Sequence, residues 1–274
     1  LNVMMQFAER LLRKHPQHIT ILAPLTTWTL TFLCGTGHVV YTMFPIISDI
    51  ALKKGIRPER PMAVASVASQ MAITASPVSV AVVSLVSILG AAHGIGHAYS
   101  ILEILAISVP ASLCGVIVAA LWSLRRGKDL DKDPEFQAKV SDPKQREFIY
   151  GNSETLLNQK FSKHAYWSTW IFFAAILVVV LLGAFSDLRP SYEIKGVMKP
   201  LSMNLVIQMM MLIAGAIILM ACQVKPADIS SGAVFKAGMV AIFSVFGVAW
   251  MSDTFFQAHM QDLKVVLEDV VKSQ

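Results

Sequence analysis

The chain has 274 residues, 55% hydrophobic and only 15% charged, with a formal net charge of +5 and a mean hydropathy of +0.58. Soluble domains carry about 25% charged residues, so this composition excludes an ordinary soluble domain and predicts an integral membrane protein embedded in a lipid bilayer. The excess of cations is not a nucleic-acid footprint, and no nucleic-acid partner is expected, because Lys and Arg collect at the ends of apolar runs, where the positive-inside rule puts them.

Six runs contain no Asp, Glu, Lys or Arg: residues 19–48, 61–102, 104–124, 166–186, 200–224 and 237–252. Cys34, Cys114 and Cys222 all fall inside such runs and are expected to be buried packing residues. There is no CxxC or other metal-ligand spacing, so neither a metal nor a cofactor is expected. The chain starts at Leu1 without Met, shows no signal peptide, and reads as a piece of a longer protein.

Residues 1–18 predict an amphipathic helix, with Phe7, Leu11 and Leu12 near one face and Glu9, Arg10, Arg13 and Lys14 as its polar part. Two readings are open: an interfacial helix with lipid-facing cations, or a helix that turns Glu9 and Arg13 toward a transport cavity. Residues 19–50 follow as one apolar stretch, long enough to span but interrupted near its centre by Gly35-Thr36-Gly37-His38. Basic residues flank both sides, which places both ends on the cytoplasmic side and predicts a re-entrant helical hairpin. Irregular backbone at membrane depth is tolerated only where it is buried in protein or lines a cavity, so the tip is a candidate binding element. Its backbone N–H groups and half-helix N-termini suit an anion. His38 either donates to a carboxylate or is a packed core histidine. Pro24 and Pro45 bracket the tip, and the many threonines either line the site or back-bond to their own helix.

Residues 49–60 form a basic cytoplasmic turn. Lys53, Lys54 and Arg60 read as anchors, whereas Arg57, held between Ile56 and Pro58, is placed to offer a carboxylate its planar fork. Residues 61–124 contain a broken membrane helix and a return helix. The break falls at Ser76-Pro77-Val78-Ser79, since Pro77 removes a helix hydrogen bond. It is either a hydroxyl-lined site or a simple kink. Residues 91–100, with His93 and His97, read as an outside loop. Residues 125–165 read as a solvated, charged cytoplasmic loop, residues 166–252 as scaffold membrane helices, and residues 253–274 as an amphipathic segment. Two interrupted apolar segments in succession are the sequence pattern of a transporter site.

The stretches LTFLCGTGHVVYTMFPII, IRPERPMAVASVASQMAITASPVSVAVVSL and RGKDLDKDPEF, with FSDLRPS, KPLSMNLVIQM and FKAGMVAIFSVFGVAWM further on, resemble the anaerobic C4-dicarboxylate transporter (Dcu) family along essentially the whole chain. GTGHVVYT is nearer its DcuB branch than its DcuA branch. The resemblance implies a multi-pass carrier of the bacterial inner membrane that takes up fumarate, malate or aspartate and exports succinate in anaerobic respiration. It implies an all-α fold of inverted repeats with re-entrant hairpins, as in the wider ion-transporter superfamily, of which this chain would hold one hairpin. It allows a membrane sensor kinase, as in some relatives, and a homo-oligomer as partners.

The resemblance also singles out Arg57 as the first candidate for a carboxylate contact and Arg13 as the second, with Glu9 holding or releasing it. Gly35, Thr36, Gly37, His38, Ser76, Pro77 and Ser79 would supply neutral donors or backbone at the substrate site. Alternating access with exchange is expected, on the argument that an empty carrier with uncompensated cations reorients slowly. Competing readings are a dicarboxylate-binding sensor subunit, an ion-coupled symporter and a channel. An enzyme is not expected, since no HExxH, GxSxG or paired carboxylate lies in the membrane runs.

Overall fold

The structure is a computed structural model that describes residues 2–91, 99–151, 155–158, 160–194 and 197–264. The loop carrying His93 and His97 and the last ten residues of the expected amphipathic segment lie outside the described residues. The chain divides into two units, Leu1–Val224 and Lys225–Gln274.

In the first unit, α1 (Asn2–Lys14) ends in Arg13 and Lys14, cations that suit the negative end of a helix dipole. After a 3-10 turn at Pro16–His18 the long first apolar run forms two helices, α2 (Ile19–Cys34) and α3 (Val39–Lys53). Gly35 sits at φ +69°, a left-handed cap that L side chains disfavour, and its N–H closes α2 onto the Thr31 carbonyl at 2.7 Å. The second long run is likewise split, into α4 (Glu59–Ile73) and α5 (Val80–Ala91), with the break at 74–79. The interruptions expected from Gly-x-Gly and from Pro77 therefore fall where helices end.

The remaining runs form unbroken helices: α6 (Ile101–Ser123), α9 (Lys163–Ala184) and α10 (Met203–Ala221). α6 opens with a capping box between Ser100 and Glu103. Short helices α7 (Pro134–Val140) and α8 (Pro143–Tyr150) lie between α6 and α9, each N-capped by an Asp before a Pro. One expectation needs correction here, because the fold is not purely α. β1 (Ser191–Ile194) pairs antiparallel with β2 (Val197–Pro200), with Ser191 opposite Pro200. Arg189 caps α9 next to this pair of strands by donating to the Leu182 and Gly183 carbonyls.

In the second unit, α11 (Pro226–Ser231) precedes α12 (Ala233–Ala258). The segment boundary drawn at 252/253 falls inside α12, since a single Asp253 on an exposed helix face does not end a helix.

Among the described residues, α6, α9, α10 and the Gly238–Ala258 part of α12 are long and apolar enough to cross a membrane. The windows in α6, α9 and α10 are each only 22% buried. Such apolar exposure fits lipid rather than water.

The interior of the first unit has three centres. One joins α1, α2 and α3 around Leu12, Ile19, Met43 and Ile47. A second joins α5, α6, α9 and α10 around Val82, Val83, Val179 and Val206. Between them α2 lies closely along α4, where Ala65, Ala68, Ser69 and Ala72 are fully buried. Small residues let two helix backbones approach without a water-driven core. Trp28 on α2 stacks on Phe32 and donates to Ser112 Oγ of α6 at 3.2 Å. Of the cysteines, only Cys222 is buried. Cys34 is partly exposed, and Cys114 lies exposed on α6, as an apolar residue facing lipid can.

Candidate functional site

Helices α2, α3 and α4 run between two ends of different chemistry. At one end the chain turns at residues 35–38 and breaks at 74–79. At the other end α1 approaches α3, and the 54–58 turn joins α3 to α4.

The second of these ends holds the charges. Glu9 has no exposed surface. Its carboxylate accepts from Arg13 Nε at 2.7 Å, from Thr155 Oγ1 at 2.7 Å and from the Leu156 N–H at 2.8 Å. Gln6 completes the seat by donating to the Leu156 carbonyl at 2.8 Å. Arg13 reaches on to Asp49 at 3.0 Å, and Asp49 pairs with Lys53 at 2.7 Å. The four side chains form an alternating chain of charge that ties α1 to α3 and to the loop at 155–156.

This arrangement corrects two expectations. The buried face of α1 carries Met5, Ala8, Glu9 and Leu12, while Phe7 is 66% exposed and Leu11 also faces outward. Glu9 does not face lipid as part of an interfacial polar face. Burying a carboxylate is tolerated when a cation and backbone donors satisfy it, and a membrane leaves Phe7 and Leu11 free to point out. The 125–165 segment is not uniformly solvated either. Thr155 and Leu156 seal Glu9, Leu156 packs on the α1–α3 core, and Leu130 is buried.

Arg57 and Arg60 hold a second part of this end. Arg57 Nη2 pairs with Asp133 Oδ2, and its Nε lies 3.9 Å from Glu59. Arg60 donates to Asp129 Oδ1 at 2.7 Å and to the Arg126 and Gly127 carbonyls. The Leu130 N–H donates to the Gly55 carbonyl at 2.9 Å, and Ser123 Oγ to the Arg60 carbonyl at 3.0 Å. Residues 123–133 are thereby clipped onto the 54–60 turn. Arg60 is thus more than a surface anchor. Arg13 pairs with Glu9 and Asp49, whereas Arg57 pairs with Asp133.

It also removes the basis on which slow reorientation of an empty carrier was expected. Arg13, Arg57 and Arg60 are each compensated by carboxylates of the chain itself.

The opposite end is neutral and tightly fitted. A Cβ on Gly35 would lie 2.9 Å from Val78 Cγ2 and 3.2 Å from the Val78 backbone, and one on Gly37 would lie 2.9 Å from Gln70 Nε2. Ser69 Oγ donates to the Gly37 carbonyl at 3.1 Å. The turn therefore rests directly on α4 and on the break. Thr36 Oγ1 accepts from the His38 N–H at 3.4 Å, and the half-buried His38 ring stacks on Tyr41. Ser76 and Ser79 are buried and already engaged. Ser76 Oγ donates to the Phe32 carbonyl at 2.6 Å, and Ser79 Oγ accepts from the Ala81 N–H at 3.2 Å at the start of α5. In this conformation they pin the break rather than offer donors to a ligand, because a buried hydroxyl takes the nearest backbone partner. Pro77 is buried between them. The α2 threonines Thr26, Thr27 and Thr29 likewise donate to carbonyls three or four residues back.

Sequence reasoning missed Asp49, Lys53, Asp129, Asp133, Thr155 and, at the neutral end, the exposed amide of Gln70. Asp49 and Lys53 carried a weak signal, an i,i+4 pair closing an uncharged run. The pairings of Thr155 and Asp133 join residues 146 and 76 apart in sequence, and local spacing does not reveal them.

The family model for anaerobic C4-dicarboxylate membrane transporters matches residues 1–274. The anaerobic C4-dicarboxylate transporter DcuB of Escherichia coli O6:H1 is 54% identical over 272 residues, 99% of this chain and 60% of the relative. DcuB of Shigella flexneri gives the same figures. The C4-dicarboxylate transporter DcuA of Wolinella succinogenes is 36% identical over 265 residues, 96% of this chain and 58% of the relative. The chain thus spans about 60% of the length of the curated DcuB relatives it matches. No solved structure matches it.

Proposed function

The chain belongs to the anaerobic C4-dicarboxylate membrane transporter family, and from that premise we propose that it forms part of a secondary carrier exchanging external fumarate, malate or aspartate for internal succinate across the bacterial inner membrane. The observation that carries the reading is the pairing of its two interrupted apolar runs. Gly35 of the turn rests on Val78 of the break, the Gly37 carbonyl accepts from Ser69 of α4, and Ser76 of the break donates to Phe32 near the end of α2, an arrangement suited to a binding element within the membrane.

In this reading residues 19–50 are a re-entrant hairpin, residues 61–124 a broken helix with its return, residues 125–165 the cytoplasmic connection and residues 166–252 scaffold. A second, inverted repeat lies in the part of the relatives that this chain does not span. Arg13, held by Glu9, and Arg57 are the cations that meet substrate carboxylates. Gly35, Thr36, Gly37 and His38 present backbone and neutral donors, with Ser76, Pro77 and Ser79 as their support. A homo-oligomer and a membrane sensor kinase are partners consistent with this reading.

Geometry adds a constraint. Asp49 stands ten residues along α3 from Val39, about 15 Å at the α-helical rise. A four-carbon diacid is too short to touch the turn and Arg13 at once, so the two ends engage it in succession, in different conformations. Exchange follows from the same arrangement. The empty protein carries Arg13–Asp49 and Arg57–Asp133 ion pairs between elements, and these resist relative movement until a substrate carboxylate replaces one partner.

The test is fumarate uptake into proteoliposomes holding the full-length protein, loaded with succinate or left empty. Strong stimulation by internal succinate is expected. Equal uptake from both would favour an ion-coupled symporter or channel, and binding without uptake a sensor.

A further inference from the structure

The 123–133 segment leads from α6 to α7 and is fixed to the 54–60 turn at several independent points. Gly127 adopts φ +67° and lies against Arg57, so that a Cβ there would be 3.3 Å from Arg57 Cδ. Asp133 is held in place by α7, whose N–H groups at Glu135 and Phe136 donate to Oδ1 at 3.1 and 3.4 Å. That leaves Oδ2 for Arg57 Nη2.

The other arm of the same guanidinium edge is unmatched. Among the described residues Arg57 Nε is buried without a hydrogen-bond partner, because Glu59 at 3.9 Å is too far for one. An Arg edge of Nε and Nη2 fits one carboxylate through two parallel hydrogen bonds. Asp133, anchored by its cap, supplies only one of them. Arg57 and Asp133 also line a cavity of about 810 Å³ with Lys139, Glu59 and Glu135, large enough to admit a small dianion, in which a displaced Asp133 carboxylate adds to an already acidic rim.

We infer that Asp133 is the resident counter-ion of Arg57, which a substrate carboxylate displaces by taking both Nε and Nη2, so that substrate binding releases the 123–133 segment. Asp133 is a positioning residue in this scheme, since it acts through Arg57. The inference rests on the transport reading above. It adds that a carboxylate outside the membrane helices competes with substrate and links occupancy to the cytoplasmic connection.

Two measurements on the full-length protein test it. In exchange assays Asp133→Asn removes the competing charge. The expected KM for fumarate falls about two- to fivefold, the range for a partly exposed ion pair, and Asp133→Glu restores it. Asp129→Asn, which loosens the same segment through Arg60 but leaves the Arg57–Asp133 pair in place, is expected to lower KM less than Asp133→Asn does. A purely structural role for Asp133 would lower the maximal rate or the amount of protein without improving KM.

The second measurement keeps Asp133. Leu130, 4% exposed, is replaced by Cys in a background without Cys34, Cys114 and Cys222. Saturating succinate is expected to speed its alkylation. An unchanged or raised KM in Asp133→Asn, or an alkylation rate indifferent to succinate, overturns the inference while wild-type exchange stands. Wild-type protein that shows no exchange overturns the transport reading and this inference with it.

Discussion

The two ends of the α2–α3–α4 group solve different problems. The 35–38 turn meets α4 and the 74–79 break through glycine, serine, valine and glutamine, with close backbone approach and no carboxylate, Lys or Arg among the contacts. The opposite end is held by carboxylates and guanidinium groups reaching between α1, α3, the 54–60 turn and the loops at 123–133 and 155–156. The first is defined by shape, which changes only when something moves bodily. The second is defined by pairing, and a pair can change partner. The comparison separates a rigid support from an exchangeable one.

The largest effect that would sharpen this contrast is expected from Glu9→Ala. It leaves Arg13 without its shortest partner and the Thr155 and Leu156 donors without an acceptor. Breaking a buried pair from one side costs about 3–5 kcal/mol. The purified protein should lose much of its thermal stability in detergent, and uptake should be abolished. If melting is unchanged, the charged end is not a structural unit.

Gly35→Ala tests the shape-defined end. The left-handed φ alone costs about 1–2 kcal/mol, and the 2.9 Å approach to Val78 adds overpacking of a further ~1–3 kcal/mol. The loss should appear in melting and be insensitive to salt. A neutral result would mean that the turn does not rest on the break as described.

Ser76→Ala is expected to cost about 1 kcal/mol, the worth of one hydrogen bond to the Phe32 carbonyl, and to lower the maximal uptake rate more than it raises KM. Smallest is Lys53→Ala. Its ammonium is 44% exposed, so the change should stay below about 1 kcal/mol and shrink as salt is raised. A salt-independent loss as large as that of Glu9→Ala would break the distinction between a buried core of the charge chain and its exposed rim.

Much of the helical layout was legible because the features that set it are local. A Gly-x-Gly in an apolar run ends a helix through a left-handed cap at Gly35, and Pro77 ends another. The charged cluster was legible only as candidates. Glu9 and Arg13 stand at helical spacing, and that spacing carries no sign of Asp49 from α3 or Thr155 from a loop beyond α8. Of the two readings of α1, the interfacial one misplaced Phe7, Leu11 and Glu9 though not Leu12, because amphipathicity assumes water outside the protein. Beside lipid, Phe7 can face out and a satisfied Glu9 can face in. Ser76 and Ser79 looked like ligand donors since sequence shows a hydroxyl but not the carbonyl or N–H it has already met. The β1–β2 pair was missed because its strands are only four residues long.

The charge chain between α1 and α3 has one further consequence. Glu9, Arg13, Asp49 and Lys53 comprise two anions and two cations, so the quartet sums to zero. Each unbalanced elementary charge moved through the membrane field is worth about 2.3 kcal/mol per 100 mV. A quartet that travels intact therefore feels no voltage. Under the proposed exchange, this quartet therefore adds no electrical work of its own to the cycle.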